Sequence, residues 1–227
     1  MASQNNPLYN GQQPQAADGG ASGSPTVLLV RHAVTPLNEQ QRIRAWSDVD
    51  IDPGKGRDAT LKTAQALGHI PISEIVTSDL TRAEQTGQIL ANQWVTPISS
   101  DRALRPWNLG QFEGMKFDEV KDDMNHYIEN PSKKVPGGEA FNEFLGRWRE
   151  GLQGLVSKAM DSPTGVIAGV THSRNIEATR YLLSGSKNTD QLVKANTVPP
   201  SGVMALQIQN GAIREVPFGN QHLEKEE

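Results

Sequence analysis

The chain contains no cysteine, which removes disulfides and thiolate metal sites from consideration and fits a reducing compartment. It also lacks an excess of positive charge. Its 22 Lys and Arg face 26 Asp and Glu, a formal net charge of −4, which argues against a nucleic-acid partner but leaves room for a local basic pocket. No apolar run is long enough to span a bilayer, and the N-terminus has neither a charged n-region nor an apolar stretch behind it. These absences predict a cytoplasmic, unsecreted protein with no membrane partner. No internal repeat is visible.

What is present divides into three stretches. Residues 1–24 are rich in Gln, Asn, Gly, Ala and Ser, a composition that buries too little apolar surface to offset its ordering entropy. This predicts a flexible tail, and such a tail is a candidate for docking onto a partner or for assembly into a homo-oligomer. Residues 25–218 are expected to form one domain, and 219–227 a polar C-terminal tail.

Within the domain, Thr26–Val30, Ile72–Thr77, Thr96–Ser99 and Val166–Val170 read as strands, the first and last as short continuous apolar runs. Thr60–Leu67, Asp79–Trp94, Phe117–Ile128, Glu139–Met160 and Ser173–Leu183 read as helices. In the fourth of these, Phe141, Phe144, Leu145, Trp148, Leu152 and Leu155 recur at helical spacing. Asn38–Asp52 and Pro106–Gly114 read as irregular, and Val203–Ile208 and Ile213–Val216 flank Asn210–Gly211 as a terminal hairpin. Strands alternating with helices predict a three-layer α/β/α sandwich around a mostly parallel sheet.

Two of the strands run into a histidine. Val27–Val30 continues into Arg31–His32, and Val166–Val170 into Thr171–His172–Ser173–Arg174. Open α/β sheets bind ligands at the carboxyl edge of their strands, so both imidazoles point to one site there. Arg31 and Arg82 add guanidinium forks that match phosphate oxygens in pairs, and Arg82 falls in the first turn of a helix, where anions are favoured. With phosphate held in this way, His32 can act as nucleophile and His172 as hydrogen-bond donor to the transferring group. Asn38 and Thr35 are candidate further donors, or turn and cap residues. Ser173 is a candidate substrate contact or helix cap. Trp46 and Trp107 either line a pocket or pack.

The stretch Arg31-His32-x-x-Thr35-x-x-Asn38 resembles the signature of the histidine phosphatase superfamily, the phosphoglycerate-mutase-like fold. Thr77–Thr86 is similar to the segment that supplies an arginine in that family. Leu109–Gly114 resembles its loop ending in Glu-Gly, Pro136–Glu139 the turn before its later helix, and Val170–His172 the strand with its second histidine. The resemblance implies a metal-independent phosphatase with no cofactor. In it His32 becomes phosphohistidine, while Arg31, Arg82 and His172 hold the equatorial oxygens of a small-molecule phosphate ester or phosphoanhydride. The alternatives it leaves open are a phosphoglycerate-mutase-type phosphotransferase and a weakly catalytic protein that binds a phosphorylated ligand. About 60 residues separate Gly110 from His172, a compact spacing that favours the phosphatase.

Two positions depart from the pattern. Ala33 stands where the family has glycine. Pro106 falls where the family carries the carboxylic acid that protonates the leaving oxygen, and proline has no proton to give. Glu113 is the nearest replacement in sequence, with Asp48, Asp50, Asp52 and Glu139 further off. Otherwise the leaving group needs less help, or catalysis is weak.

Overall fold

The computed structural model describes residues 23–185 and 198–217; both predicted tails lie outside these apart from Gly23 and Ser24. The elements are β1 (Thr26–Arg31), α1 (Pro36–Glu39), α2 (Lys55–Leu67), β2 (Glu74–Thr77), α3 (Thr81–Trp94), β3 (Ile98–Ser100), α4 (Phe117–Glu129), α5 (Phe141–Asp161), β4 (Val166–Thr171), α6 (Ser173–Ser184), β5 (Val203–Gln209) and β6 (Ala212–Val216). The strands form one sheet in the order β3-β2-β4-β1-β5-β6. β3, β2, β4 and β1 pair in parallel, and β5 and β6 add an antiparallel edge. This is the α/β architecture expected from the alternation of strands and helices, with the Asn210–Gly211 hairpin at its end.

The apolar runs of β1 and β4 are continuous because helices cover both faces of the sheet. Side chains alternate along a strand. Val27 and Leu29 therefore join Ile167, Phe144, Trp148 and Leu155 in one buried cluster, while Leu28 and Val30 join Ile75, Ala83, Leu90 and Val170 in the other. Each such side chain contributes on the order of 1.5–3 kcal/mol by leaving water. The helical stripe of α5 predicted from sequence is the face that fills the first cluster. Gly169 keeps the inter-layer distance short, since a Cβ there would come within 2.7 Å of Leu155 Cδ1.

Boundaries differ from expectation where pairing or capping decides them. α2 begins at Lys55 rather than Thr60, because Asp52 Oδ1 accepts from the Gly54 and Lys55 amides and starts a turn with no apolar stripe. α3 begins after Leu80, which is extended, while the Asp79 carboxylate turns away to a two-pronged ion pair with Arg105 at 2.7 and 2.8 Å. β3 is shifted by its register on β2. At the start of the stretch read as irregular, Thr35 and Asn38 form a capping box that opens the single turn of α1, Pro36–Glu39. Among the described residues, no helix is long and apolar enough to cross a membrane.

Candidate active site

β1 and β4 are neighbours in parallel register, Arg31 opposite Thr171. The next residue on each strand is a histidine, so the register alone brings His32 and His172 side by side at the carboxyl edge. The His32 amide donates to Thr171 O at 2.8 Å, and the two ring centroids lie 5.2 Å apart. Both residues are buried, and both line a cavity of about 530 Å³.

The two imidazoles are prepared differently. His32 Nδ1 lies 2.6 Å from Ala33 O, and a carbonyl can only accept, so Nδ1 carries the proton and Nε2 keeps its lone pair. Burial, reinforced by Arg82, Arg44 and Arg31, pushes the His32 pKa well below the usual imidazole range. His172 is pushed down by burial and then by Arg82, His32 and Arg44. Neither ring nitrogen of His172 has a hydrogen-bond partner although both are buried.

Guanidinium groups surround the pair. Arg82 donates from Nη1 to Ser47 O at 2.8 Å and from Nη2 to Ala45 O at 2.7 Å, leaving its buried Nε without a partner. Arg31 is fixed by a 2.8 Å bond from Nη1 to Val198 O and likewise has a buried, unpartnered Nε. Burial and the nearness of Arg44 bring Arg82 down to about 9; burial and Arg31 bring Arg44 down to about 10. Desolvated like charges converging on one cavity favour an anion there.

The chain after His32 is pinned by the second motif: the Ala33 amide donates to Thr86 Oγ1 at 2.9 Å, and that hydroxyl donates to Arg82 O at 2.7 Å. The Ala33 methyl that replaces the expected glycine is fully buried, and even a Cβ at Gly56 would lie 3.5 Å from it, an ordinary contact. The two later motifs meet each other. Gln111 N donates to Pro136 O at 2.9 Å, and Gly110 (φ +43°) has no room for a Cβ, which would sit 2.3 Å from Pro136 O.

Of the sequence candidates, His32, His172, Arg82 and Ser173 line the cavity, while Arg31 stands behind His32. Thr35 and Asn38 are not in the lining. Asn38 Oδ1 accepts from Thr35 N at 3.0 Å and from Thr35 Oγ1 at 2.9 Å, so the pair shapes the loop instead. Ser173 Oγ donates to Glu177 Oε1 at 2.9 Å.

The carboxylates offered as a replacement acid are outside the lining as well. Glu113 accepts from Trp46 N at 2.8 Å and from Ser47 Oγ at 2.6 Å, and so ties down the loop that holds Arg82. Asp48 accepts from the Thr81 amide at the start of α3, Asp50 from Gln85, and Asp52 caps α2. Glu139 is bonded to Asn108 N and Arg147. Pro106 itself lines the cavity, its carbonyl accepting from Trp46 Nε1 at 2.8 Å and Arg147 Nη2 at 3.0 Å. Trp107 also lines it, whereas the Trp46 ring lies under Arg105, whose guanidinium is 4.6 Å from its centroid.

Sequence reasoning missed Arg44, which lies in the irregular stretch after His32, where no periodicity ties it to the sheet edge. It also missed Glu177, the one carboxylate among the described residues that lines the cavity. Glu177 lies four residues after Ser173, hence on the same face of α6. That spacing was a usable signal.

Comparison with known proteins agrees with this geometry. The probable phosphoglycerate mutase GpmB of Cronobacter sakazakii is 28% identical over 144 residues, 61% of this chain and 65% of its own length. The Salmonella choleraesuis protein of that name is 27% identical over the same shares. The chain thus spans less than two thirds of the curated relatives it matches. Among solved structures, Bacillus stearothermophilus YhfR superposes with a TM-score of 0.72 at 24% identity, covering 86% of this chain and 96% of that one. The mycobacterial glucosyl-3-phosphoglycerate phosphatase solved with VO3 gives 0.73 at 21%, covering 86% and 99%. These likenesses establish the shared fold. Residues 27–221 match the family itself, and the chain belongs to the histidine phosphatase superfamily (branch 1).

Proposed function

We propose that the protein is a metal-independent phosphatase that hydrolyses a phosphate ester through phosphohistidine on His32. The observation that carries this reading is the tautomer of His32. Its Nδ1 proton is committed to Ala33 O, so Nε2 presents a lone pair inside a ring of cations. His32 Nε2 attacks phosphorus in line with the leaving oxygen, forming the N–P bond as the P–O bond breaks. His172, Arg82, Arg44 and Arg31 oppose the charge on the equatorial oxygens, in a buried setting where such interactions are strong. Water then attacks phosphorus and frees His32.

The relatives named as mutases suggest a second reading, transfer of the phosphoryl group back to a bound product. Glucosyl-3-phosphoglycerate phosphatase among the structural neighbours is consistent with hydrolysis on the same fold. Quenching the enzyme with a labelled phosphate ester should trap an acid-labile, base-stable phosphoenzyme in the wild type and none in His32→Ala. Free phosphate should then appear in step with alcohol. Isomerised ester without phosphate release would instead identify the mutase.

A further inference from the structure

Part of the cavity lining is apolar, in contrast to its imidazoles and guanidiniums. Pro106, Trp107, Leu109, Ile43, Met124 and Phe117 contribute an apolar wall, and all but Phe117 are buried. Phe117, at the start of α4, is 41% exposed, an aromatic ring left bare where it borders the cavity. Further lining cations are engaged or outward: Arg174 pairs with Glu177 at 2.9 Å, Arg42 Nη1 donates to Gly114 O at 2.6 Å, and Lys121 is exposed. A volume of about 530 Å³ lies within the range of sites for drug-sized ligands. A small, fully polar ester would leave the exposed Phe117 ring against water.

Pro106 is part of the wall, at the position where a proton donor is expected, and the other acids named from sequence are held elsewhere. Among the described residues Glu177 is the single carboxylate in the lining, and its oxygens already accept from Ser173 Oγ and Arg174 Nη1, both at 2.9 Å. Both of its oxygens are thus engaged by side chains of its own helix.

We propose that the cavity takes the phosphate monoester of an acidic hydroxyl on a planar apolar body, an aryl or enol phosphate, whose oxygen departs without being protonated by the enzyme. The inference rests on the phosphatase reading. The N–P bond to His32 forms as the P–O bond breaks, and the electron pair stays on the aryl oxygen, which leaves as the aryloxide. Water oxygen then joins phosphorus, the N–P bond breaks, and both protons of that water remain on the departing phosphate until bulk solvent redistributes them. Stacking on Phe117 and the apolar wall supplies affinity for the ring.

The test is kcat/KM for 4-nitrophenyl, phenyl, 2-naphthyl and 2-phenylethyl phosphate and for 3-phosphoglycerate, with wild type, Phe117→Ala, Pro106→Glu and Glu177→Gln. Expected is a steep, continuous fall as the leaving hydroxyl becomes less acidic. 2-Naphthyl phosphate should outrun phenyl phosphate, of similar acidity, by about three- to tenfold, and Phe117→Ala should remove most of that margin. Pro106→Glu should raise turnover of 2-phenylethyl phosphate by about 10²-fold or more, because it supplies the missing acid. A flat leaving-group dependence in the wild type that becomes steep in Glu177→Gln would overturn the proposal, since Glu177 would then be the acid. Preference for 3-phosphoglycerate over all three aryl esters would also overturn it. Trapping of phosphohistidine with 4-nitrophenyl phosphate separates the two levels. A trapped phosphoenzyme with a flat dependence removes only this inference, whereas no phosphoenzyme and no hydrolysis of any ester removes the phosphatase reading with it.

Discussion

Stability between pH 5 and 8 should reveal the two buried histidines directly. Both are pushed well below the ordinary imidazole range, first by burial and then by the surrounding arginines. In the unfolded chain each regains a pKa near 6.5, so below that value the unfolded state binds protons that the folded state refuses. The stability these groups confer is therefore fully present above about pH 6.5 and lost as pH falls toward their folded values. If both stay neutral in the folded protein down to pH 5, each lowers stability by about 0.8 kcal/mol at pH 6 and about 2 kcal/mol at pH 5, relative to pH 8. Together that is about 4 kcal/mol, a large share of the 5–15 kcal/mol typical of a domain. The carboxylates lowered by ion pairs, Asp79 beside Arg105 and Glu74 beside Lys158, lose their contribution only at lower pH, so this window belongs mainly to the histidines. Urea melts at pH 5, 6, 7 and 8 would measure the slope, with His172→Asn expected to halve it. A wild-type profile that is flat from pH 8 to 5, or a slope unchanged in His172→Asn, would refute the assignment of neutral, desolvated imidazoles.

Three further outcomes follow from the hydrogen bonds around the site. Arg82→Lys should lower kcat/KM by about 10²-fold or more, because one ammonium cannot hold Ala45 O and Ser47 O and still face phosphate; Arg82→Ala should be no milder, as steady-state kinetics would show. Glu113→Gln should lower stability by about 1–2 kcal/mol in urea melts, through its weakened bonds to Trp46 and Ser47, while leaving the dependence of rate on leaving group as in the wild type. Thr86→Val should cost about 1–3 kcal/mol by the same measurement, since it strands the buried Ala33 amide beside His32.

The sheet was legible in the sequence wherever burial on both faces forces a continuous apolar run, as in Thr26–Val30 and Val166–Val170. It was less legible where partners set the limits. β3, with all three residues exposed, carries no pattern of its own and owes its position to β2. The pair His32 and His172 was readable because each follows a strand, and parallel register turns that local fact into a contact. Arg44 was not, because it enters the site through a loop whose path is fixed by side chains far away in sequence, Glu113 on Trp46 and Ser47 and Arg82 on Ala45 and Ser47. Thr35 and Asn38 were placed among possible donors on their residue type, and the capping box took both.

The crowding of cations that marks the site also limits the stability of the empty protein. Arg44 helps to lower Arg82, Arg31 helps to lower Arg44, and the two histidines stay neutral partly because Arg82 and Arg44 stand beside them. An anion in the cavity opposes each of these repulsions. It pairs with the guanidiniums, favours their charged forms and makes protonation of His172 less costly. Binding to the folded state alone must then stabilise it by mass action, by about 2.7 kcal/mol at a hundred times the dissociation constant. The same anion should flatten the acid-side loss of stability, because a protonated imidazole is no longer alone among cations. Urea melts with saturating phosphate should therefore gain more at pH 5.5 than at pH 8 after correction for the protonation of phosphate itself. An equal gain at both would mean that the anion sits apart from the histidines, and that the convergence of these groups on one cavity does not make one site.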